Sequence, residues 1–179
     1  KEAFQEVDYG QFFGSMAKWV VEVTRPEEMA AVAARAFRVA RSGRPGPVVV
    51  ALPEDVLMEE AEQRFPPVEA ATPPHPDPAA VGRWVEAVGR AQKPVLIVGG
   101  GTQFARARQA LVAFSERFQV PVLTGFRRLD AFPNDHPHYL GNLGLGKSPS
   151  QDVVREADLV VALGTRLGEI TTAEYKLPL

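Results

Sequence analysis

Six of the chain's 16 prolines fall in one stretch, "RFPPVEAATPPHPDP", as Pro66, Pro67, Pro73, Pro74, Pro76 and Pro78. Each proline removes a backbone donor and biases the residue before it towards extended conformations. A segment this rich in proline cannot be a helix or a central strand, and it reads as a semi-rigid linker over residues 61–78. Residues 1–60 and 79–179 must then build separate cores. The composition allows this, with 45% hydrophobic and 23% charged residues over 179 positions, ordinary values for a globular chain.

The bulk numbers also exclude functions. A net charge of −2 leaves no electrostatic footprint for nucleic acid or an anionic membrane. With no cysteine, disulfides, thiolate nucleophiles and cysteine-ligated zinc are ruled out. No apolar run approaches the roughly 20 residues of a membrane helix. The polar opening "KEAFQEVDYG" does not fit a secretory leader. The expectation is a cytoplasmic protein that works on a small molecule.

The first part holds one clear helix–strand unit. In "TRPEEMAAVAARAFRVARSG", Thr24 and Glu27 fit a capping box and Pro26 a first turn. Met29, Val32, Ala33, Ala36, Phe37 and Ala40 recur at helical spacing, and Gly43 suits the stop. The run Pro47–Leu52, "PVVVAL", has no polar interruption and predicts a strand covered on both faces, as in a parallel sheet. One strand is not a sheet. This part is expected to be the helix–strand tail of another α/β domain, or to borrow a neighbour's strands.

The second part alternates strands and helices. "DPAAVGRWVEAVGRAQ" predicts a helix capped by Asp77, with Val81, Trp84, Val85 and Val88 as its apolar stripe. "KPVLIVGGG", "VPVLTG" and "DLVVALGTR" predict strands, and "ARARQALVAFSERF" the helix between the first two. A long loop follows, "FRRLDAFPNDHPHYLGNLGLGK", before a short helix for which Ser148 and Gln151 fit a capping box. The fold class is α/β, a doubly wound parallel sheet preceded by the tail of another α/β domain. A ligand belongs past the C-terminal ends of the strands.

Those ends read Gly99-Gly100-Gly101, Thr124-Gly125 and Gly164-Thr165-Arg166. Glycines there let a phosphate approach backbone amides, and Arg166 can add bidentate contacts. The same glycines can equally make tight turns with no ligand, and both readings stand. The dinucleotide fingerprint fails at its third glycine, where Phe104 stands, and no acidic residue ends "VPVLTG", so NAD is not favoured.

Other groups carry less. His75 lies in the linker, and His136 and His138 lie in "NDHPHY" without an accompanying carboxylate pattern, which favours a solvated loop over a metal site. Glu54-Asp55 reads as a helix cap or turn, Arg127-Arg128 as surface. "GSM" at Gly14–Met16 lacks the G-x-S-x-G pattern of a nucleophile elbow.

The segments "AFQEVD", "KWVVEV", "AFRVARSGRPGPVVVALPEDV", "KPVLIVGGG", "VPVLTG" and "ADLVVALGTR" together resemble the thiamine-diphosphate-dependent enzymes of the acetolactate synthase type. The resemblance runs along essentially the whole chain, and "SGRPGPV…LPxDV" is its most specific element. It implies that residues 1–60 are the C-terminal part of a pyrimidine-binding domain and residues 79–179 most of a Rossmann-like central domain. It implies carbanion chemistry on a 2-oxo acid, decarboxylation or carboligation by a transferase or lyase, with thiamine diphosphate as electron sink. It also implies a homodimer or homotetramer.

Phe4 and Gln5 of "AFQE" resemble a pair lining the active site near the cofactor; as ordinary residues they are core and surface. Arg44 of "GRPGP" resembles a residue contacting FAD, and Gly99, Gly100, Gly101, Thr124, Gly164 and Arg166 match positions around that flavin. FAD or ADP is the nucleotide implied for the central domain. The glutamate that activates the cofactor and the Gly-Asp-Gly…Asn motif that holds magnesium and diphosphate are not in this sequence, so these 179 residues alone are expected to be inactive. Two departures argue against a true acetolactate synthase. Glu54 stands where those enzymes carry a lysine, and "GLGK", Gly144–Lys147, lacks the histidine of "GMHG". Another decarboxylase, carboligase or acyl-CoA lyase remains, against the alternative of a free-standing nucleotide-binding or structural module.

Overall fold

The computed structural model describes residues 4, 6–62, 64–67, 75–104 and 106–179. Contacts divide the chain into two compact units, Lys1–His75 and Pro76–Leu179.

In the first unit the Asp8 carboxylate accepts from the Gln11 amide and caps the short helix α1, Tyr9–Phe13. Strand β1, Trp19–Glu22, follows. Helix α2, Met29–Arg41, leads to β2, Val48–Ala51, and then to helix α3, Glu54–Met58. β1 and β2 pair in parallel, Trp19 opposite Val48 and Glu22 opposite Ala51.

The expected helix–strand unit is present, but its strand has a partner that the sequence pattern did not disclose. β1 is only four residues long, Trp19–Glu22. Val48, Val49 and Val50 are half-buried rather than covered on both faces, and only Ala51 of β2 is buried. Phe37, assigned above to the apolar face of α2, is 74% exposed.

The capping box of Thr24 and Glu27 does not form. The first turn, Pro26–Glu28, is a 3₁₀ turn with Arg25 at its N-cap, and the Arg25 guanidinium pairs with Glu28 instead. At the other end of α2, Lys18 Nζ donates to the carbonyls of Val39 (2.7 Å), Ser42 (2.5 Å) and Arg44 (3.1 Å). A cation is favoured at a helix C-terminus, and this one also secures the turn that carries Arg44.

The second unit opens with α4, Pro78–Arg90, capped as expected by Asp77, whose carboxylate accepts from Ala79 and Ala80 amides. Next come β3 (Pro94–Val98), α5 (Gly100–Phe104), α6 (Arg108–Phe118), β4 (Val122–Thr124), β5 (Tyr139–Asn142), α7 (Pro149–Glu156) and β6 (Leu159–Leu163). The strands lie in the order β5-β4-β3-β6, all parallel.

β5 is a second hidden strand, inside what the sequence presents as a loop. Its residues, "YLGN", carry a glycine and follow a His-Pro-His run, so period and punctuation both argue for loop. Ser148 is at the N-cap of α7 but makes no capping bond. Gln151 instead turns its amide to the carbonyls of Gly144 (3.0 Å) and Gly146 (2.6 Å).

Successive residues of a strand face opposite sides, and β3 serves both cores. Leu96 and Val98 join Val88, Leu111, Val120, Val122 and Phe132 on one face. Val95 and Ile97 join Leu123, Leu143, Val154 and Leu177 on the other. Trp84 of α4 stacks on Phe114 of α6 at 5.0 Å between ring centres, so two helices cover the first face together. Val81 and Val85, assigned to the same stripe, are exposed.

At the opposite end of the strands the Asp158 carboxylate accepts from the amides of Gln92 (2.7 Å) and Lys93 (2.9 Å), joining the starts of β6 and β3. Those two amides hold the carboxyl below its ordinary value. A depressed folded value contributes stability above the unfolded value of about 3.9, and the contribution is lost as pH falls through the folded value. Asp158→Asn should therefore lower the thermal midpoint at neutral pH, and the gap to the unmodified protein should close at strongly acid pH. Thermal melts across pH check this.

Candidate functional site at the switch point of the sheet

From β3 the chain moves outward through β4 to β5, then returns past α7 to place β6 on the other side of β3. The strand order reverses at β3, and the C-terminal end of such a strand is where open α/β sheets bind ligands. Six of the residues selected from sequence meet there. Gly99, Gly100 and Gly101 follow β3, Thr124 ends β4, and Gly164 and Arg166 follow β6. Arg44 and Phe4 belong to the first unit, where both are exposed, Phe4 by 94%. Gln5 lies outside the described residues.

The glycines of the rim are required by contact between backbones. A Cβ on Gly99 would lie 2.5 Å from the Gly164 carbonyl oxygen, and one on Gly101 2.8 Å from Gly164 Cα. Gly164 adopts φ +60 and would place a Cβ 2.6 Å from the Thr102 amide. The turn after β3 and the loop after β6 are thus pressed together with no room for side chains. Their amides are engaged in the same contact. Gly99 donates to Leu163 and Gly101 to Gly164, each at 2.9 Å, while Thr102 donates to Gly99 through both its amide (3.2 Å) and its hydroxyl (2.7 Å).

The cations of the rim are arginines. Arg166 is exposed. Arg128 lies across the start of α5, since a Cβ on Gly100 would meet its Nε at 2.6 Å. Arg128 is exposed, in keeping with its surface assignment from sequence, but nothing local signals that the turn after β4 folds back over Gly100. The fold-back is made by backbone bonds, Gly125 N–H to Val98 (2.8 Å) and Arg128 N–H to Gly125 (3.0 Å).

Thr124 is fully buried. Its hydroxyl is 3.2 Å from the Tyr139 hydroxyl, and Asn142 Nδ2 donates to the Thr124 carbonyl and hydroxyl (both 3.2 Å) and to the Gly125 carbonyl (2.8 Å). Asn142 is a rim residue that the sequence could not supply, because it sits on the hidden strand. Among the described residues no group of three or more His, Asp or Glu side chains is placed to bind a metal ion. None of the helices is long and apolar enough to cross a membrane, among the described residues.

Comparison with known proteins agrees with this architecture. Residues 81–178 match the family described as thiamine pyrophosphate enzyme, central domain. The chain is 34% identical to an acetolactate synthase large subunit of Corynebacterium glutamicum, over 97% of this chain and 28% of that protein. It is 35% identical to a sulfoacetaldehyde acetyltransferase of Rhodobacter capsulatus, over 94% of this chain and 29% of that protein. Among solved structures it superposes on a benzoylformate decarboxylase from Polynucleobacter necessarius with a TM-score of 0.73 and 28% identity, covering 86% of this chain and 29% of that one. The chain belongs to the thiamine pyrophosphate enzyme family, the family its motifs resemble, and spans under a third of the length of these relatives.

The backbone contact at the rim predicts a contrast among glycines. Gly99→Ala and Gly164→Ala should each destabilise by about 1–3 kcal/mol, the usual cost of overpacking. Gly82→Ala, in α4 with nothing near the added methyl group, should stabilise by about 0.5–1 kcal/mol. Urea denaturation of the three variants measures both signs.

Proposed function

We propose that the chain is the central domain, with the end of the preceding pyrimidine-binding domain, of a thiamine-diphosphate-dependent enzyme that decarboxylates or ligates 2-oxo acids. One observation supports this above the rest. A two-stranded parallel sheet, a proline-rich stretch and a doubly wound four-stranded sheet follow one another along the chain, in the order the family resemblance requires. The family assignment of residues 81–178 supports the second half of that reading.

Thiamine diphosphate, when bound, supplies an electron sink for the carbanion left at a carbonyl carbon. The chain's own residues then bind and orient. Phe4 and Gln5 line the active site of an assembled homodimer or homotetramer. Gly99, Gly100, Gly101, Thr124, Gly164 and Arg166, joined by Arg128, surround an adenine nucleotide, FAD or ADP, whose phosphates the arginines neutralise. Glu54 presents an anion where acetolactate synthases carry a lysine, which disfavours close approach of an anionic acid and separates this protein from the acetolactate synthases. Magnesium and diphosphate are assigned to residues outside these 179, in a protein that works in the cytoplasm.

One observation favours a second reading of the rim. The amides of Gly99 and Gly101 already serve backbone carbonyls, which suits a structural turn without a nucleotide. Heat release of nucleotide from the purified full-length protein, with the flavin absorbance band read beforehand, separates the two. The proposal expects bound FAD or ADP, retained roughly tenfold or more weakly in Arg166→Ala, as for loss of a hydrogen bond to a charged group. It also expects turnover of a 2-oxo acid by the full-length protein with thiamine diphosphate and magnesium, and none by residues 1–179 alone. Absence of turnover across a panel of 2-oxo acids would remove the enzymatic reading.

A further inference from the structure

His136 and His138, read from sequence as a solvated loop, are packed at the base of the sheet, where β4 and β5 begin. The side chain of His136 is 14% exposed. Its ring stands edge-on to Phe132, with centroids 5.2 Å apart, and edge-on to His138 at 5.1 Å. Four hydrogen bonds fix the protons on both rings.

Ser115 is fully buried, and its hydroxyl oxygen is 2.6 Å from the Val120 carbonyl oxygen and 2.8 Å from His138 Nδ1. A carbonyl can only accept, so the single hydroxyl proton goes to Val120. His138 Nδ1 must then donate to Ser115 and carries a proton. The His138 backbone amide donates to His136 Nδ1 at 3.1 Å. An amide can only donate, so His136 Nδ1 carries no proton. The proton of the neutral His136 ring is on Nε2, which donates to Glu116 Oε1 at 3.3 Å. Glu116 of α6 is the one carboxylate paired with either ring among the described residues, and it accepts from Nε2 whether the ring is neutral or charged. Only Nδ1 has to change when the ring gains a proton.

The geometry points to a proton-sensitive latch: His136, neutral with its proton on Nε2, clasps the His138 amide, and a second proton, which can enter only at Nδ1, releases it. The clasped backbone belongs to the start of β5. The His138 carbonyl accepts from Val122 of β4 (2.8 Å), and the Tyr139 amide donates to the His136 carbonyl (2.9 Å). Release therefore loosens the edge strand whose far end, Asn142, ties Thr124 and Gly125 into the rim. The inference stands on the hydrogen-bond network and does not depend on the reaction proposed above.

Hydrogen exchange on the full-length protein tests it. Imidazole carbon-bound hydrogen exchange reports the charging of His136, and backbone exchange of residues 134–143, corrected for intrinsic rate, reports the latch. In the unmodified protein, protection of 134–143 should fall about tenfold in step with the charging of His136, the loss expected for one hydrogen bond. In His136→Asn the amide oxygen takes the place of Nδ1 and gains no proton, so the step should vanish. Protection that stays flat while His136 charges would overturn the latch, as would the same step in His136→Asn. If that variant does not fold, the titration of the unmodified protein decides by itself.

Discussion

Strand β3 is the element on which the second unit depends. Val95, Leu96, Ile97 and Val98 are all fully buried, and both edges of the strand are hydrogen-bonded, to β4 and to β6. An unpaired backbone group in such a place costs about as much as a lost hydrogen bond, so β4 and β6 must stay in register with it. The chain can meet that demand only by leaving on one side and returning on the other. The close approach of Gly99 and Gly164 at the C-terminal end of β3 is a consequence of that route.

The first unit shows the contrary state. Its parallel pair leaves three valines of β2 half-buried and Phe37 of α2 exposed, although the sequence of both segments is that of covered elements. Parallel strands ordinarily have both faces covered. Within the described residues of Lys1–His75 that cover is partial.

Chemistry at the rim is set by what the glycines exclude. The amides of Gly99 and Gly101 are turned to the carbonyls of Leu163 and Gly164, and the side chains that stand at the rim include guanidinium groups. Arg128 reaches the rim through a backbone turn and Arg166 through the end of β6. The histidine pair at the opposite end of β5 shows the same economy of donors: each ring nitrogen that is bonded is bonded to a partner with a fixed role, and the tautomers follow.

Strong local signals agree with the structure: the uninterrupted runs of β3 and β6, the Asp77 cap, and the glycines that end the strands. These carry their physics within a few neighbouring residues. Misses occurred where the deciding partner is remote in sequence. β1 and β5 are strands only because β2 and β4 offer them edges, and four residues of mixed character do not announce this. Thr24 and Ser148 have the right neighbours for capping boxes, yet Arg25 takes the N-cap and pairs with Glu28, and Gln151 turns its amide to the Gly144 and Gly146 carbonyls. Sequence by itself determined the α/β class, the family and the glycine-edged strand ends, because period, turn chemistry and motif are local properties. The tertiary structure alone decided that Arg128 covers Gly100, that Asn142 closes the rim and that His136 is held rather than solvated, because each depends on backbone groups brought close only when β4, β5 and β6 take their places beside β3.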